Sequence, residues 1–221
     1  MNFTLLLSFL KELSANNSKE WFDDNRKTYD GLRKEWLNFA AIAITEVGKF
    51  DEKISLLEPK HCIFRINRDI RFSKNKSPYK TNFGLSLNTG GKKDYFCGYY
   101  LHVEPGNSFV AGGSYMPMPP KLAAIRQEID YNADEFLAIV EHKTFKNSFG
   151  KLSGETLQRP PKGYEASNPM VGYLKHKSFI AEYKLSDKDL LNTNFIETLV
   201  AHFKLSTPLV SFLRRAMEEQ K

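Results

Sequence analysis

Cysteine is scarce in this chain: Cys62 and Cys97 are the only two. Both sit among Ile, Phe and Tyr in strand-like runs, so buried free thiols are expected in place of a disulfide or a thiolate metal site. The five histidines, His61, His102, His142, His176 and His202, follow no metal-ligand spacing, and no metal or cofactor is expected. There is no nucleophile-elbow sequence and no Gly-rich loop leading into Lys-Ser/Thr, which argues against an α/β-hydrolase or a P-loop nucleotidase. Long hydrophobic runs are missing too, so no membrane span is expected. The apolar start, Phe3 to Leu10, lacks a basic lead, meets Lys11-Glu12 early and offers no small-residue cleavage site. A cytoplasmic location is the expectation.

Charge of one sign is not concentrated in any block. The 32 basic and 26 acidic residues leave a net charge of +6, which favours anionic partners in general without resembling a nucleic-acid-binding tail. With 221 residues and 41% hydrophobic content, the chain can bury a substantial core, and we expect a single domain over 1–221. The 17 Phe and 10 Tyr are assigned mainly to that core.

Hydrophobic periodicity places helices at both ends. Thr4 is the expected cap of a first helix carrying Leu5, Leu6, Phe9, Leu10 and Leu13. Asn17 with Glu20 resembles a capping box for a second, long helix. Its stripe is Trp21, Phe22, Asn25, Tyr29, Leu32, Trp36, Phe39, Ala43 and Val47, ending near Gly48. The middle switches to period two. Cys62 to Ile66 reads as a strand, and runs Phe83 to Leu87, Tyr95 to Glu104 and Asn107 to Ser114 follow. The turn residues Asn88-Thr89-Gly90-Gly91 and Pro105-Gly106 join these runs as an antiparallel meander, with Gly90-Gly91-Lys92-Lys93 as a hairpin tip. In the central strand Phe96, Tyr100, His102 and Glu104 share one face, which is where a cleft is expected. Prolines 117, 119 and 120 introduce more helix, and Ser178 to Leu185 reads as a further strand. Ser186-Asp187-Lys188-Asp189 caps a helix reaching Phe203, and Pro208 opens a separate closing helix. The fold class is α+β: N-terminal helices, a central antiparallel meander and C-terminal helices.

One stretch, Arg65 to Lys80, packs six cationic side chains around a single carboxylate, Asp69. If extended, Arg65, Asn67, Asp69 and Arg71 point one way, and Ile66, Arg68, Ile70 and Phe72 the other. Arg65 or Arg71 can hold Asp69 through a two-pronged bond. Arg68, on the apolar side, must find an anion, a carbonyl or open water, because an unpaired buried charge costs several kcal/mol. Past Phe72, Ser73, Asn75 and Ser77-Pro78 favour a loop carrying Lys74, Lys76, Tyr79 and Lys80. A loop pinned by salt bridges explains the pattern as well as a ligand site does.

The segment Arg65-x-x-Arg68-Asp69-x-Arg71-Phe72, followed by Asn75-Lys76-x-x-Tyr79, resembles the defining motif of the domain of unknown function 2461 family, a mainly bacterial group without an established activity. Asn16-Asn17, Glu20-Trp21-Phe22 and Tyr29 resemble its N-terminal pattern. Gly98-Tyr99-Tyr100-Leu101-His102, Arg126 and Arg159-x-Pro161-Lys162-Gly163 resemble its later segments. The resemblance implies one domain of about this length and no particular reaction.

The first functional reading is a site for a small phosphorylated or carboxylated ligand. Arg65, Arg68, Arg71, Lys76, Tyr79, Lys80, Arg159 and Lys162 are its candidate ligand-binding residues, and His102, Tyr100 and Asp69 its candidate catalytic ones. The second is a nucleic-acid-binding module with Phe72 and Tyr79 as a stacking platform, which the scattered acids disfavour. The third is a structural ion-pair network with a protein-interaction surface elsewhere. Oligomeric state has no signature in the sequence.

Overall fold

Asn2, not Thr4, starts the first helix. Its side-chain oxygen accepts the Leu5 N–H at 2.9 Å, which moves the start of α1 (Phe3–Ala15) early enough for Phe3 to join the buried row Leu6, Phe9, Leu10 and Leu13. Leu5, expected in that row, is 43% exposed. The computed structural model describes residues 1–89 and 97–218. These form two compact units. The first gathers Met1–Leu87, Tyr100–Val110 and Lys184–Val200, and the second the described residues of Asn88–Tyr99, Ala111–Tyr183 and Ala201–Lys221.

In the first unit, the single long helix expected after α1 is two helices, α2 (Lys19–Asp24) and α3 (Arg26–Gly48). Ser18, not Asn17, caps α2, accepting the Trp21 N–H at 3.2 Å. The aromatic stripe on α3 is core as expected: Tyr29, Leu32, Trp36, Phe39, Ala43 and Val47 are buried. Trp36 and Phe39 stack at 5.3 Å, and the Trp36 indole N–H donates to the Gly84 carbonyl at 3.3 Å. Two short helices follow, α4 (Glu52–Ser55) and α5 (Pro59–Cys62). The expected strand Cys62 to Ile66 does not form. Ile63 instead makes one isolated antiparallel bridge to Leu85, and Asn67 one to Tyr79. The segment doubles back as a narrow ribbon, with the Arg68 N–H on the Pro78 carbonyl (2.9 Å) and the Lys80 N–H on the Ile66 carbonyl (2.8 Å). Pro78 has no N–H with which to extend this ladder.

The sheet is four-stranded and antiparallel in the order β1 (Phe83–Asn88), β2 (Cys97–Val103), β3 (Ser108–Ser114), β4 (Phe179–Leu185). The fold class is therefore α+β, as the sequence predicts. Gly106 takes φ 71° in the β2–β3 turn, a left-handed conformation that glycine adopts without strain. The Gly90 to Lys93 tip, together with Tyr95 and Phe96, lies outside the described residues. Along β2, Cys97, Tyr99, Leu101 and Val103 are buried, while Tyr100 and His102 are half-buried.

In the second unit α6 (Pro119–Tyr131), α7 (Ala133–Val140), α8 (Lys143–Phe149) and α9 (Val171–Leu174) follow in order. Two prolines occupy the first turn of α6, where a missing N–H costs nothing. Returning to the first unit, Ser186 and Asp189 form a capping box on α10 (Asp187–Leu190). The sequence expectation of two closing helices split at Pro208 is wrong: α11 runs unbroken over Phe195–Glu218 with Pro208 inside it. Pro208 is exposed. In the preceding turn the Ser206 and Thr207 hydroxyls donate back to the Phe203 carbonyl at 2.8 and 3.1 Å, the local side-chain bonding common for these residues inside helices. Both cysteines are unbridged and buried. Among the described residues no helix is long and apolar enough to cross a membrane.

Candidate functional site

The ribbon keeps the expected alternation as far as Ile70. Arg65, Asn67, Asp69 and Arg71 are exposed, Ile66 is buried, and Arg68 and Ile70 are intermediate. Asp69 grips Arg71 through two bonds, Nε to Oδ1 at 3.0 Å and Nη2 to Oδ2 at 2.7 Å. These side-chain bonds first, then the Arg71 backbone N–H and the charges of Arg71 and Arg65, hold the Asp69 carboxyl down at about 2. Arg68 finds a carbonyl: it donates to Ser77 O at 3.2 Å and to Ser73 Oγ at 3.3 Å. Lys76 donates to Ile70 O at 3.0 Å, and Asn75 Oδ1 accepts the Ser77 N–H at 2.9 Å. Arg68, Arg71 and Lys76 thus brace the loop from within. Phe72, expected on the inner side with Ile70, is 94% exposed, because the chain bends at Arg71 and Phe72.

Tyr79 lies inside the unit, 5% exposed. Its ring stacks on Phe22 at 4.1 Å and 18°, and Asn17 pairs with its backbone, accepting the Tyr79 N–H at 3.0 Å and donating to its carbonyl at 3.1 Å. Tyr79 is the ribbon's anchor, and this explains why Asn17 leaves the α2 cap to Ser18. A stacking platform of Phe72 with Tyr79 is not present, since one ring is buried and the other points into solvent.

A second group assembles on the sheet face carrying Tyr100 and His102. The Tyr100 hydroxyl lies 3.1 Å from His102 Nδ1, and the Asn82 amide nitrogen 3.4 Å from the same atom. On the ring's far side, Nε2 lies 3.4 Å from Glu104 Oε2. One neutral tautomer satisfies both ends: Nε2–H donates to the carboxylate and Nδ1 accepts from the phenol. Burial alone raises the Glu104 carboxyl, but hydrogen bonds from Thr81, Asn107 and His102 outweigh it and hold the group below its ordinary value. Thr81 Oγ1 donates at 2.6 Å and Asn107 Nδ2 at 3.0 Å. Burial, with the Glu104 charge nearby, pushes the Tyr100 phenol up to about 12, so it stays protonated as a donor.

Aromatic rings and two cations frame this group. Phe109 stacks on His102 at 4.8 Å and 14°, with the Lys184 ammonium 5.3 Å from the Phe109 centroid. Phe64 meets Tyr100 edge-on at 6.2 Å, with the Lys80 ammonium 5.2 Å from the Phe64 centroid. Both are cation–π distances. A Cβ on Gly84 would sit 2.8 Å from the Tyr100 hydroxyl and 3.0 Å from Phe64, so the absent side chain is what lets both rings lie over β1.

Of the sequence-predicted residues, Lys80, Tyr100 and His102 therefore belong to the sheet-face group, and Arg65, Arg68, Asp69, Arg71, Lys76 and Tyr79 to the ribbon. Arg159 and Lys162 are exposed in the second unit. Arg126, also there, donates to the carbonyls of Leu174 (2.7 Å) and His176 (3.1 Å). Glu104 and Lys184 are the members that sequence reasoning missed as site residues. Glu104 follows from the same two-residue alternation as Tyr100 and His102, whereas Lys184 needs knowledge of the β3–β4 pairing. A cleft of about 360 Å³ in the first unit, lined by Phe3, Phe39, Ile42, Leu190, Leu191 and Phe195 among others, contains none of the predicted site residues.

The chain matches the family described as conserved hypothetical protein (DUF2461) over residues 5–212. It belongs to that family. No curated protein and no solved structure matches it.

Proposed function

We propose that the first unit binds a small anionic ligand, phosphorylated or carboxylated, over the sheet face between Lys80 and Lys184. His102 is the proton-transfer group in this reading. Tyr100 and Glu104 act through it, fixing its tautomer and stabilising its charged form. Asp69 serves to orient Arg71, and Arg65 adds positive charge to the ribbon's outer side. The observation that carries the reading is the Glu104–His102–Tyr100 chain of hydrogen bonds, framed by two cations held against aromatic rings. A buried packing face has no need of such a titratable series, and perturbed carboxyl and phenol groups gather at functional sites. Two unbridged, buried thiols support a reducing, cytoplasmic setting.

The test is a thermal-shift panel of phosphate, pyrophosphate, nucleotides, sugar phosphates and small carboxylates. A ligand at a hundred times its dissociation constant stabilises the fold by about 2.7 kcal/mol. Replacing both lysines, Lys80→Ala with Lys184→Ala, is expected to abolish that shift, and His102→Gln to leave binding while removing any turnover. A panel in which nothing moves the melting temperature, or a shift that survives the double substitution, overturns the reading.

A further inference from the structure

The ribbon tip combines internal hydrogen bonding with an exposed aromatic ring. It is braced internally at nearly every turn: Arg68 on Ser73 and Ser77, Lys76 on the Ile70 carbonyl, Asn75 on the Ser77 N–H, and Asp69 on Arg71. Yet the bracing shelters no apolar group at the tip. It holds Phe72 out in water, 94% exposed, with the Arg71 guanidinium 5.8 Å from the ring centroid. Local hydrogen bonding that presents a bare aromatic ring is preorganisation for a partner that covers the ring.

We propose that this tip is a docking finger for single-stranded nucleic acid, with an unpaired base stacking on Phe72 and phosphates meeting Arg71, Lys74 and Lys76. The charge around the ring selects this partner. From Arg65 to Lys80 there are six cations and one carboxylate, so a polyanion is favoured. Phe72 is a lone ring, flanked by Arg71, Ser73, Lys74, Asn75 and Lys76. An apolar protein groove or a bilayer needs a larger hydrophobic surface than one ring set among polar residues. Stacking on a single aromatic face needs no more than this, and every base has a face to offer. The sheet-face reading is tested on Lys80, His102 and Lys184 and the finger on Phe72 and Lys74, so either reading stands if the other fails.

The experiment measures binding of a fluorescein-labelled oligothymidylate by anisotropy over a series of salt concentrations. The matching duplex and anionic phosphatidylserine vesicles run in parallel. The expected result is binding to the single strand over the duplex, weakening with salt by about −0.7 in log–log slope for each phosphate neutralised. Phe72→Ala is expected to weaken it about 5- to 150-fold, the loss of one stacked base. Phe72→Trp should keep the affinity, with indole fluorescence quenched on binding. Lys74→Gln should reduce the salt slope by about 0.7. Because Phe72 is almost wholly exposed, its substitution leaves the fold intact. The proposal is overturned if the oligonucleotide does not bind, if Phe72→Ala binds it equally well, or if the vesicles are bound in preference.

Discussion

Asn17 acts toward Tyr79 as a strand residue would: its side-chain amide accepts the Tyr79 N–H at 3.0 Å and donates to the Tyr79 carbonyl at 3.1 Å, across 62 residues of sequence. Both backbone groups are partly buried there, so each bond removed leaves a polar group without its partner. The stack of Tyr79 on Phe22 at 4.1 Å completes the clasp. Asn17→Ala is therefore expected to destabilise the protein by about 1–3 kcal/mol in urea unfolding. Its neighbour provides the comparison. Ser18→Ala removes a helix cap and a side-chain bond to Glu20 and should cost about 1 kcal/mol. A loss below about 1 kcal/mol for Asn17→Ala would contradict the clasp.

Gly84 is the position where the sheet face is least tolerant. A methyl group there would stand 2.8 Å from the Tyr100 hydroxyl and 3.0 Å from a Phe64 ring carbon, so one of the rings must move. Gly84→Ala should cost about 1–3 kcal/mol, as overpacking does. Part of that loss should be recovered in the Gly84→Ala, Tyr100→Phe pair, which removes the closest atom. Double-mutant cycles in denaturant measure this coupling, and strictly additive effects would show that the contact is not felt.

Alkaline titration reads the burial of Tyr100. Its phenol and that of Tyr173 are each held up at about 12, against about 10 for an ordinary tyrosine. The native state thus keeps a proton that the unfolded chain gives up first. Stability from this source is complete below pH of about 10 and declines as pH rises toward 12. Phenolate absorbance of the folded protein should show a late phase containing both groups. Tyr100→Phe should remove its share and flatten the alkaline loss of stability. A titration of Tyr100 at the ordinary value would contradict the described packing.

Pro208 sits inside α11, where a proline removes a backbone hydrogen bond and crowds the preceding turn. Because the residue is exposed, little packing is lost when it is replaced. Pro208→Ala is expected to stabilise the protein by about 1–3 kcal/mol, measured by denaturant midpoint. A loss of stability would indicate that the proline ring itself is needed.

The parts of the fold that were legible in the sequence are those with a strong local period. The stripe from Tyr29 to Val47, the alternation along β2 and the Pro105-Gly106 turn depend mainly on near neighbours, and each forms as expected. The misreadings share a different cause. Asn17 and Ser18 are both good caps, and only Tyr79, distant in sequence, decides between them. Cys62 to Ile66 has strand composition, but its partners admit single bridges rather than a ladder. Phe72 leaves the alternation because of a bend that the Asp69–Arg71 and Lys76–Ile70 bonds stabilise. In the sheet-face group, Tyr100 and His102 were legible from alternation. Lys184 was not, since its place beside Phe109 depends on strands separated by several helices.

The clasp also makes the ribbon's alignment depend on the amino-terminal part of the chain. The ribbon has few backbone bonds of its own, and Asn17, in the turn between α1 and α2, holds the Tyr79 backbone at both its N–H and its carbonyl. Loosening that turn is expected to loosen the basic finger with it, so that Phe72 is held in a fixed place only while the amino-terminal turn is seated.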